Sequence, residues 1–378
     1  MRECSRIVFI GQFPPPINGL TFITARLALA LDQAGYNVAA VNTAVPGRRR
    51  SILFHGARLA KTVRAMASIT ANALSRKSRV CYFTAEGGFG LIYSVMIACC
   101  ARAVGLRIFL HHHSFSYIIH RRTLMDALLA CVGPEAVHIF LSSDMAEKLA
   151  DRYGRTLRSL VLSNAAFVDA DSSGERAPGR EELVIGLLSN LTAEKGLYEF
   201  IAVLRLARQR GIPIRGILAG PMSRDTDKAA VEAAKEELGD RLDYQGPVYG
   251  DEKVRFFADI DVFVFLTTYL NEAQPAVIFE AMARGIPVVS CDRGCIRSQV
   301  ADAGFVLRQE VDIVSEAVAV LEAYSDNPNK LASHREAALR HFSAERSRGQ
   351  DLIANFFDER SSRSKPHHFS RRRSETNF

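Results

Sequence analysis

Two glutamates with seven residues between them, Glu272 and Glu280, lie in the stretch NEAQPAVIFEAMARGIPVVS at 271–290. Glu272 falls in a polar loop, and AVIFEAMARG has the pattern of a helix. A carboxylate about a turn and a half inside a helix, as Glu280 would be, can accept hydrogen bonds from a ribose diol. A carboxylate in the loop before it can reach the hydroxyls of a sugar. Taken alone, the pair fits an ordinary helix start with a solvated Glu280 slightly better.

The start of this helix suits a negatively charged ligand. Pro275 fits the first helical position, because its missing N–H would have no partner there. The N–H groups of Ala276, Val277 and Ile278 would then be free, and with the helix dipole they favour an anion such as a diphosphate. The segment thus offers groups for ribose, diphosphate and sugar in the order in which a nucleotide sugar presents them.

Two further loops carry residues suited to phosphate. In SNLTAEKG, Lys195 and Gly196 precede a helix, and a lysine there can reach phosphates across a cleft, although a single loop lysine is more often solvated. In FPPPINGLTF, Asn18 and Gly19 begin a helix, and the glycine lets the backbone approach a ligand closely. As a glycine motif this second loop is weak.

Three consecutive histidines end the strand-like run in FLHHHSF. His111 and His113 share one face of the strand, which should open on the same cleft. A zinc site would need a third ligand that the spacing does not supply. The pattern therefore favours one histidine that forms a hydrogen bond with a substrate.

These residues require a scaffold that brings strand ends together. The N-terminal half alternates strand-like runs such as RIVFIGQF and NVAAVNT with helix-like runs, and the alternation restarts at LVIGLLSN after a polar break. Such a series predicts parallel sheets with helices on both faces. We expect an α/β protein of two Rossmann-like, doubly wound domains that face each other across a ligand-binding cleft.

The charge is unevenly distributed along the 378 residues, whose net charge is +7. Residues 1–165 carry 20 Lys/Arg and 8 Asp/Glu, so this half should meet nucleic acid, anionic lipid or an anionic acceptor. The seven cysteines form no C-x-x-C pair, which favours free thiols in a reducing compartment. The apolar runs are shorter than the roughly 20 residues of a membrane span. We therefore expect a cytoplasmic protein.

The segment 48–79 contains nine Lys/Arg and no acid. Lys61 and Arg64 lie opposite an apolar side of the predicted helix that is formed by Ile52, Leu59, Val63, Met66 and Leu74. A helix that packs on the sheet with a solvated basic face is one interpretation. Docking on anionic lipid headgroups is the other, and the charge of the whole domain slightly favours it.

The motifs together resemble the retaining glycosyltransferases of family 4, also called group 1. They are PPPINGLTF, HHHS, LSNA, SNLTAEKG, LAGP, YQGPV, DIDVFVFLTTYLNEAQPAVIFEAMARGIPVV and DRGC, in the expected order over roughly residues 6–307. The resemblance implies the GT-B fold, a UDP- or GDP-sugar donor, no metal, no cofactor and retention at the anomeric carbon. It also implies that Lys195 binds the diphosphate, Glu280 the ribose and Glu272 the donor sugar. Gly19 would flank the diphosphate, and His113 would lie near the transferred sugar.

The resemblance also implies a division of the chain. Residues 1–165 would bind the acceptor, 166–182 would link the domains and 183–341 would bind the nucleotide sugar. A helix at 342–358 would cross back to the N-terminal domain, and the basic tail 359–378 lacks any apolar pattern and is expected to be disordered.

The sequence departs from the family at one position of the donor site. The family usually has arginine where Asn190 stands, and an amide can donate to phosphate but supplies no charge. DID at Asp259–Asp261 resembles a metal-binding D-x-D motif. Because it begins a strand between two helices, a structural role is the better interpretation.

We therefore expect a retaining hexosyl- or related transferase, bound peripherally to the inner face of a membrane and building a surface polysaccharide or glycolipid. Its acceptor would be a glycan or a lipid-linked sugar, and nucleic acid is not the expected partner. A GT-B nucleotide-sugar epimerase or hydrolase is one alternative. A noncatalytic protein that binds an anionic polymer is the other.

Overall fold

The computed structural model describes residues 6–15, 19–45, 52–169, 182–308 and 312–356. The predicted tail at 359–378 and most of the predicted linker lie outside these ranges, as do Asn18 and residues 48–50. Within them the chain forms two six-stranded sheets, and every strand pair is parallel. The predicted α/β architecture of two doubly wound domains is confirmed.

The first sheet has the strand order β2-β1-β3-β4-β5-β6. Its strands are β1 (Arg6–Gly11), β2 (Asn37–Asn42), β3 (Ser78–Ala85), β4 (Arg107–His112), β5 (Val137–Phe140) and β6 (Arg158–Val161). Its helices are α1 (Gly19–Gln33), α2 (Ile52–Leu74), α3 (Leu91–Ala103), α4 (Ser116–Ile119), α5 (Thr123–Val132) and α6 (Ser143–Tyr153).

The second sheet has the order β12-β11-β10-β7-β8-β9. Its strands are β7 (Leu183–Leu188), β8 (Ile214–Ala219), β9 (Leu242–Tyr244), β10 (Val262–Phe265), β11 (Val288–Cys291) and β12 (Gly304–Leu307). The helices are α7 (Leu197–Gln209), α8 (Asp225–Leu238), α9 (Gly250–Asp259), α10 (Ala276–Met282), α11 (Ile296–Val300), α12 (Ile313–Asp326) and α13 (Pro328–Ala354).

Alternating side chains of the central strands build a core on each face of a sheet. In β1, Val8 and Ile10 belong to one buried cluster of the N-terminal domain, whereas Ile7 and Phe9 belong to the other. This follows from the strand geometry, in which successive side chains point to opposite faces. Because helices cover both faces, RIVFIG is apolar almost throughout.

Helix α13 joins the two domains. Its first half packs in the C-terminal core through Ala338 and Phe342. Beyond its end, Phe356 lies 5.8 Å from Phe109 of β4, measured between ring centroids. Gly349 sits so close to the N-terminal domain that an added Cβ would lie 2.6 Å from the Cβ of Ala166. The helix predicted to begin at residue 342 is thus the second half of a longer helix.

Helix α2 turns a different side toward the sheet from the one that its apolar pattern suggests. Its buried residues are Arg58, Thr62, Ala65 and Ile69, whereas Ile52 is 90% exposed. The interpretation in which the apolar side packs on the sheet is wrong. Small side chains let the helix lie close to the sheet, and the buried Arg58 forms an ion pair with Glu86, which follows β3.

Candidate functional site

Lys195 and Glu272 form an ion pair at the carboxyl edge of the second sheet. Lys195 Nζ lies 2.5 Å from Glu272 Oε2, and the same Nζ lies 4.7 Å from the ring centroid of Tyr269. Lys195 ends a 3-10 turn after β7 and precedes Gly196, whose φ is +86°. A Cβ at Gly196 would lie 2.7 Å from backbone atoms of Leu266, so only glycine lets the lysine loop rest on the end of β10.

The carboxylate of Glu272 is held in an enclosed position. The residue is only 8% exposed, and the hydroxyl of Thr267 lies 3.5 Å from Glu272 Oε2. Thr267 Oγ1 also donates to the carbonyl of Glu194 at 3.1 Å, and the N–H of Thr268 donates to the same carbonyl at 3.0 Å. The lysine loop and the glutamate loop are therefore joined directly, and Glu272 is an acceptor held close to a cation.

Glu280 faces a second lysine, which the sequence interpretation missed. Lys253 Nζ on α9 lies 2.6 Å from Glu280 Oε2. Helices that follow parallel strands all begin at the carboxyl edge of the sheet, so a lysine in the first turn of such a helix was a signal for this site. Two lysine–glutamate pairs thus lie at this edge of the sheet. In each pair the lysine could exchange the glutamate for a phosphate, and the glutamate could exchange the lysine for a hydroxyl.

The start of α10 differs in detail from the prediction. Pro275 precedes the helix with ψ of 119° and is its N-cap, so it does not occupy the first helical position. Ile278 does not have a free N–H, because that group donates to the carbonyl of Pro275 at 3.2 Å. A seven-residue helix that closes its own first turn leaves Ala276 and Val277 as the backbone donors to consider.

The histidines at the end of β4 divide between the two faces of the first sheet. The rings of His111 and His113 lie 3.9 Å apart, and His111 Nδ1 contacts Tyr82 Oη at 2.7 Å. On the opposite side, His112 Nε2 lies 3.0 Å from His138 Nδ1, and its Nδ1 lies 3.2 Å from Tyr117 Oη. Among the described residues, no group of three His, Cys, Asp or Glu side chains is arranged to hold a metal ion.

Burial keeps these histidines uncharged at neutral pH. It lowers the pKa of His113 to about 4 and that of His138 to about 4. It also lowers the pKa values of His111 and His112, and the neighbouring histidines lower them further. His113 can therefore donate or accept a hydrogen bond as a neutral imidazole at pH 7, but it does not act there as a cation.

Two other residues predicted to bind or flank the diphosphate, Asn190 and Gly19, are exposed. Asn190 is exposed in the turn between β7 and Lys195. Gly19 is exposed at the first residue of α1, and a Cβ added to it would meet no protein atom within 4 Å. The protein itself therefore does not require glycine at this position, and open space lies beside the backbone.

Asp261 has a structural position. Its Oδ2 accepts a hydrogen bond from the N–H of Val184 at 3.1 Å, and its Oδ1 lies 2.6 Å from Arg335 Nη2 on α13. Both oxygens are thus engaged in joining β7, β10 and α13. This supports the structural interpretation of the DID sequence.

A cavity of about 740 Å³ lies between the domains beside the glutamate loop. The N-terminal domain contributes an apolar wall from α4 and the loop before it, and charged side chains from α6. Leu270 and the turn after β11 close it from the C-terminal domain. The residues that line it are Phe115, Ile118, Ile119, Lys148, Asp151, Arg152, Leu270, Asp292, Arg293 and Gly294.

The edge of the second sheet that carries these residues lies in a part of the chain that matches a protein-family model. Residues 170–341 match the family model for glycosyl transferases group 1. The match includes the lysine loop, the glutamate loop and α10. No curated protein matches the sequence.

Solved structures share the fold over nearly the whole chain. Anabaena HepE in complex with UDP has a TM-score of 0.70 and 16% identity, and the match covers 93% of this chain and 99% of that one. A glycosyltransferase from Rickettsia africae has a TM-score of 0.68 and 12% identity, covering 96% and 100%. WaaG, a glycosyltransferase involved in lipopolysaccharide biosynthesis, has a TM-score of 0.64 and 14% identity, covering 94% and 100%. These similarities support the GT-B arrangement of the two domains.

Proposed function

We propose that the chain is a retaining glycosyltransferase that moves a sugar from a nucleoside diphosphate to a glycan or lipid-linked acceptor. One observation carries the proposal. The region that matches glycosyl transferases group 1 is also the region in which two lysine–glutamate pairs, Lys195 with Glu272 and Lys253 with Glu280, lie at one sheet edge. A nucleotide sugar offers a diphosphate for the lysines and hydroxyls for the carboxylates.

Each predicted residue has a role in this proposal. Lys195 and the backbone N–H groups of Ala276 and Val277 would bind the diphosphate, with Asn190 as a further donor. Glu280 would accept from the ribose and Glu272 from the transferred sugar. These contacts are consistent with UDP as the nucleotide, since HepE was solved in complex with UDP-glucose.

The proposed reaction breaks the bond between the anomeric carbon and the diphosphate oxygen. Negative charge grows on the leaving diphosphate, and Lys195 stabilises it electrostatically. The acceptor hydroxyl forms the new bond from the face that the leaving group vacates, and its proton passes to the departing diphosphate. His113, neutral at pH 7, would orient the sugar by a hydrogen bond. The interdomain cavity of about 740 Å³ would receive the acceptor.

A donor screen tests the proposal. UDP-, GDP- and ADP-sugars are added to the protein, and thermal shift is measured, because a ligand that binds the native state raises the melting temperature. We expect a UDP-sugar to give the largest shift. Release of free sugar without an acceptor would favour a hydrolase, sugar isomerisation would favour an epimerase, and no shift with any donor would contradict the proposal.

Metal independence is the second prediction. If a lysine and backbone N–H groups neutralise the diphosphate, EDTA should leave the initial rate within about twofold of its value without chelator. Transfer rates measured with and without EDTA test this. Activity that chelation abolishes and Mg²⁺ or Mn²⁺ restores would contradict it.

We further propose that the N-terminal domain binds a membrane surface. No helix among the described residues is long and apolar enough to cross a membrane. However, the starts of α2 and α3 expose four apolar side chains, which we call the apolar edge: Ile52, Leu53, Phe89 and Ile92. Contact between His55 Nδ1 and Tyr93 Oη at 3.2 Å brings the two helix starts together. The sequence places Arg48–Arg50 immediately before this edge.

Vesicle binding checks the membrane proposal. The variant Ile52→Ser/Leu53→Ser should bind vesicles that contain anionic lipid at least about tenfold more weakly, because each lost apolar side chain removes roughly 1.5 to 3 kcal/mol of transfer free energy. Replacing Arg48, Arg49 and Arg50 with glutamine should also weaken binding, by roughly 1 kcal/mol per charge. Sedimentation with vesicles measures both.

Two controls make the vesicle result specific. Leu29→Ser changes an exposed leucine on α1, which lies outside the apolar edge, and should bind as the parent protein does. Deletion of 361–378 tests the basic tail, whose sequence SRRRS could bind anionic lipid by itself. If only the tail deletion weakens binding, the membrane contact belongs to the tail and not to the apolar edge.

A further inference from the structure

Gln274 connects the glutamate loop to the N-terminal domain through its side-chain amide and its backbone carbonyl. The residue is 6% exposed. Its Nε2 donates to the carbonyl of Leu141 at 3.0 Å, and its Oε1 accepts from the N–H of Asn164 at 2.7 Å and from Ser163 Oγ at 3.4 Å. Its own carbonyl accepts from Asn164 Nδ2 at 2.7 Å. All these partners belong to the N-terminal half of the chain.

The residues around Gln274 extend this connection. Ala273 and Cys295 pack within a hydrophobic cluster that otherwise belongs to the N-terminal domain. The N–H of Cys295 donates to the carbonyl of Ala273 at 2.7 Å, and Ser142 Oγ lies 3.2 Å from Cys295 Sγ. Gly294, with φ of +54°, has no room for a side chain, since a Cβ would lie 2.2 Å from the carbonyl oxygen of Glu272. The glutamate loop is therefore fixed on two sides.

This arrangement divides the contacts of one short loop between the domains. Glu272 pairs with Lys195 of the C-terminal domain, whereas Gln274, two residues later, binds the ends of β5 and β6 in the N-terminal domain. A change in the position of the N-terminal domain would thus reach Glu272 through two residues of backbone.

We propose that Gln274 is a positioning residue that holds the Glu272 loop against the N-terminal domain. The donor-binding groups then keep a fixed position relative to the acceptor side of the cleft. The consequence for the reaction rests on the proposed glycosyltransferase function. Gln274 does not touch the reacting atoms. It acts by setting where Glu272 stands relative to His113 and the interdomain cavity.

The amide chemistry of glutamine suits this position. One side-chain atom must donate to a carbonyl while the other accepts from an N–H. In Gln274→Glu, the new carboxylate would still accept from Asn164 but would set an oxygen against the carbonyl of Leu141, so this substitution removes one contact and adds repulsion. Gln274→Ala removes all of the side-chain contacts and keeps the backbone carbonyl as an acceptor for Asn164 Nδ2.

Hydrogen exchange provides a test that needs no activity. In Gln274→Ala, peptides covering 162–168 should exchange about tenfold faster or more than in the parent protein, because the N–H of Asn164 loses its acceptor. Peptides covering 268–276 should also exchange faster, because the glutamate loop loses its side-chain contacts with Leu141 and Asn164. Peptides from β7 and β8 should not change. Gln245→Ala, which alters an exposed glutamine in a loop of the C-terminal domain, is the matched control and should exchange as the parent does.

Kinetics with the best UDP-sugar of the donor screen provide the second test. Gln274→Ala and Gln274→Glu should lower kcat by 10- to 100-fold while the KM for the donor and the Kd for UDP stay within threefold. Asn164→Ala, which removes only the separate hydrogen bond from Asn164 Nδ2 to the backbone carbonyl of Gln274, should lower kcat in the same way but by less. A purely structural role would change Kd and kcat in parallel with the melting temperature.

The outcomes separate the two proposals. If the parent protein uses no nucleotide sugar, the proposed function fails, and the exchange experiment still decides whether Gln274 holds the loop. If exchange of 268–276 is unchanged in both Gln274→Ala and Gln274→Glu, the positioning role is wrong. Should Gln274→Ala fail to fold, Gln274→Glu and Asn164→Ala still give both measurements.

Discussion

Lys195→Ala is expected to raise the Kd for UDP by about 10- to 150-fold, which corresponds to one charged hydrogen bond of roughly 1.5 to 3 kcal/mol. This lysine is the one proposed to bind the diphosphate, and its Nζ lies 2.5 Å from Glu272 Oε2. Its loss should lower kcat/KM further, because negative charge grows on the diphosphate as it leaves. Isothermal titration with UDP and initial rates with a UDP-sugar measure the two effects.

A second variant separates binding from stability. Lys195→Ala leaves the carboxylate of Glu272, 8% exposed, without its cation. Breaking a pair in which the lysine is partly exposed should lower stability, though by less than the roughly 3 kcal/mol of a fully buried pair. Lys195→Ala/Glu272→Gln should recover much of that stability but none of the UDP affinity. Lys228→Ala changes a lysine whose pair with Asp225 is largely exposed, so it should affect neither quantity. Unchanged UDP affinity in Lys195→Ala would refute the assignment of the diphosphate site.

Acidification from pH 6.5 toward pH 4 is expected to unfold the protein. Burial lowers the pKa of four histidines below the ordinary value of 6.5, so in this window the unfolded state binds protons that the folded state does not. Each such proton lowers the free energy of unfolding by about 1.4 kcal/mol per pH unit. Four such protons together would lower it by about 5 kcal/mol per pH unit, a large share of the usual total stability of about 5 to 15 kcal/mol. The four are His111, His112, His113 and His138.

The slope of the free energy of unfolding against pH shows which groups cause the acid sensitivity. Urea unfolding at several pH values gives the free energy of unfolding, and His138→Leu should reduce its slope near pH 5.5 by about one proton, whatever the variant costs at pH 7.5. Stability that stays flat down to pH 4.5 would show that the buried histidines are not the acid-sensitive groups.

The local sequence pattern predicted the strands and helices better than the contacts between them. The buried runs LVIGLL and RIVFIG were recognisable as parallel strands because helices on both faces make every position apolar. Lys195 was predicted from its place between a strand and a helix, and Glu272 and Glu280 from their places before and inside a helix. The pairing of Glu272 with Lys195 could not be read from the sequence, because the two residues are 77 positions apart in the chain.

The errors have physical reasons as well. A helical wheel ranks side chains by polarity, and one of the two interpretations drawn from it placed the apolar side of α2 against the sheet. The structure instead buries Arg58 with Glu86 and small side chains such as Ala65, because ion pairing and close approach outweigh polarity there. The N–H of Ile278 was expected to be free, but a proline carbonyl at the N-cap accepts it. Gln274 was passed over because an amide in a loop has no sequence pattern.

Helix α13 has a consequence for the order in which the protein is made. Ile353 and Phe356 belong to the hydrophobic cluster that covers one face of the first sheet, beside Phe9 and Phe109. On the ribosome these two residues are translated after all twelve strands of both sheets, so that face of the N-terminal domain stays without its cover while the second domain is synthesised. The N-terminal domain should therefore complete its packing last, although it is made first. In a chimera in which only residues 1–169 come from another protein, the first sheet of that protein would pack against Ile353 and Phe356 of this one.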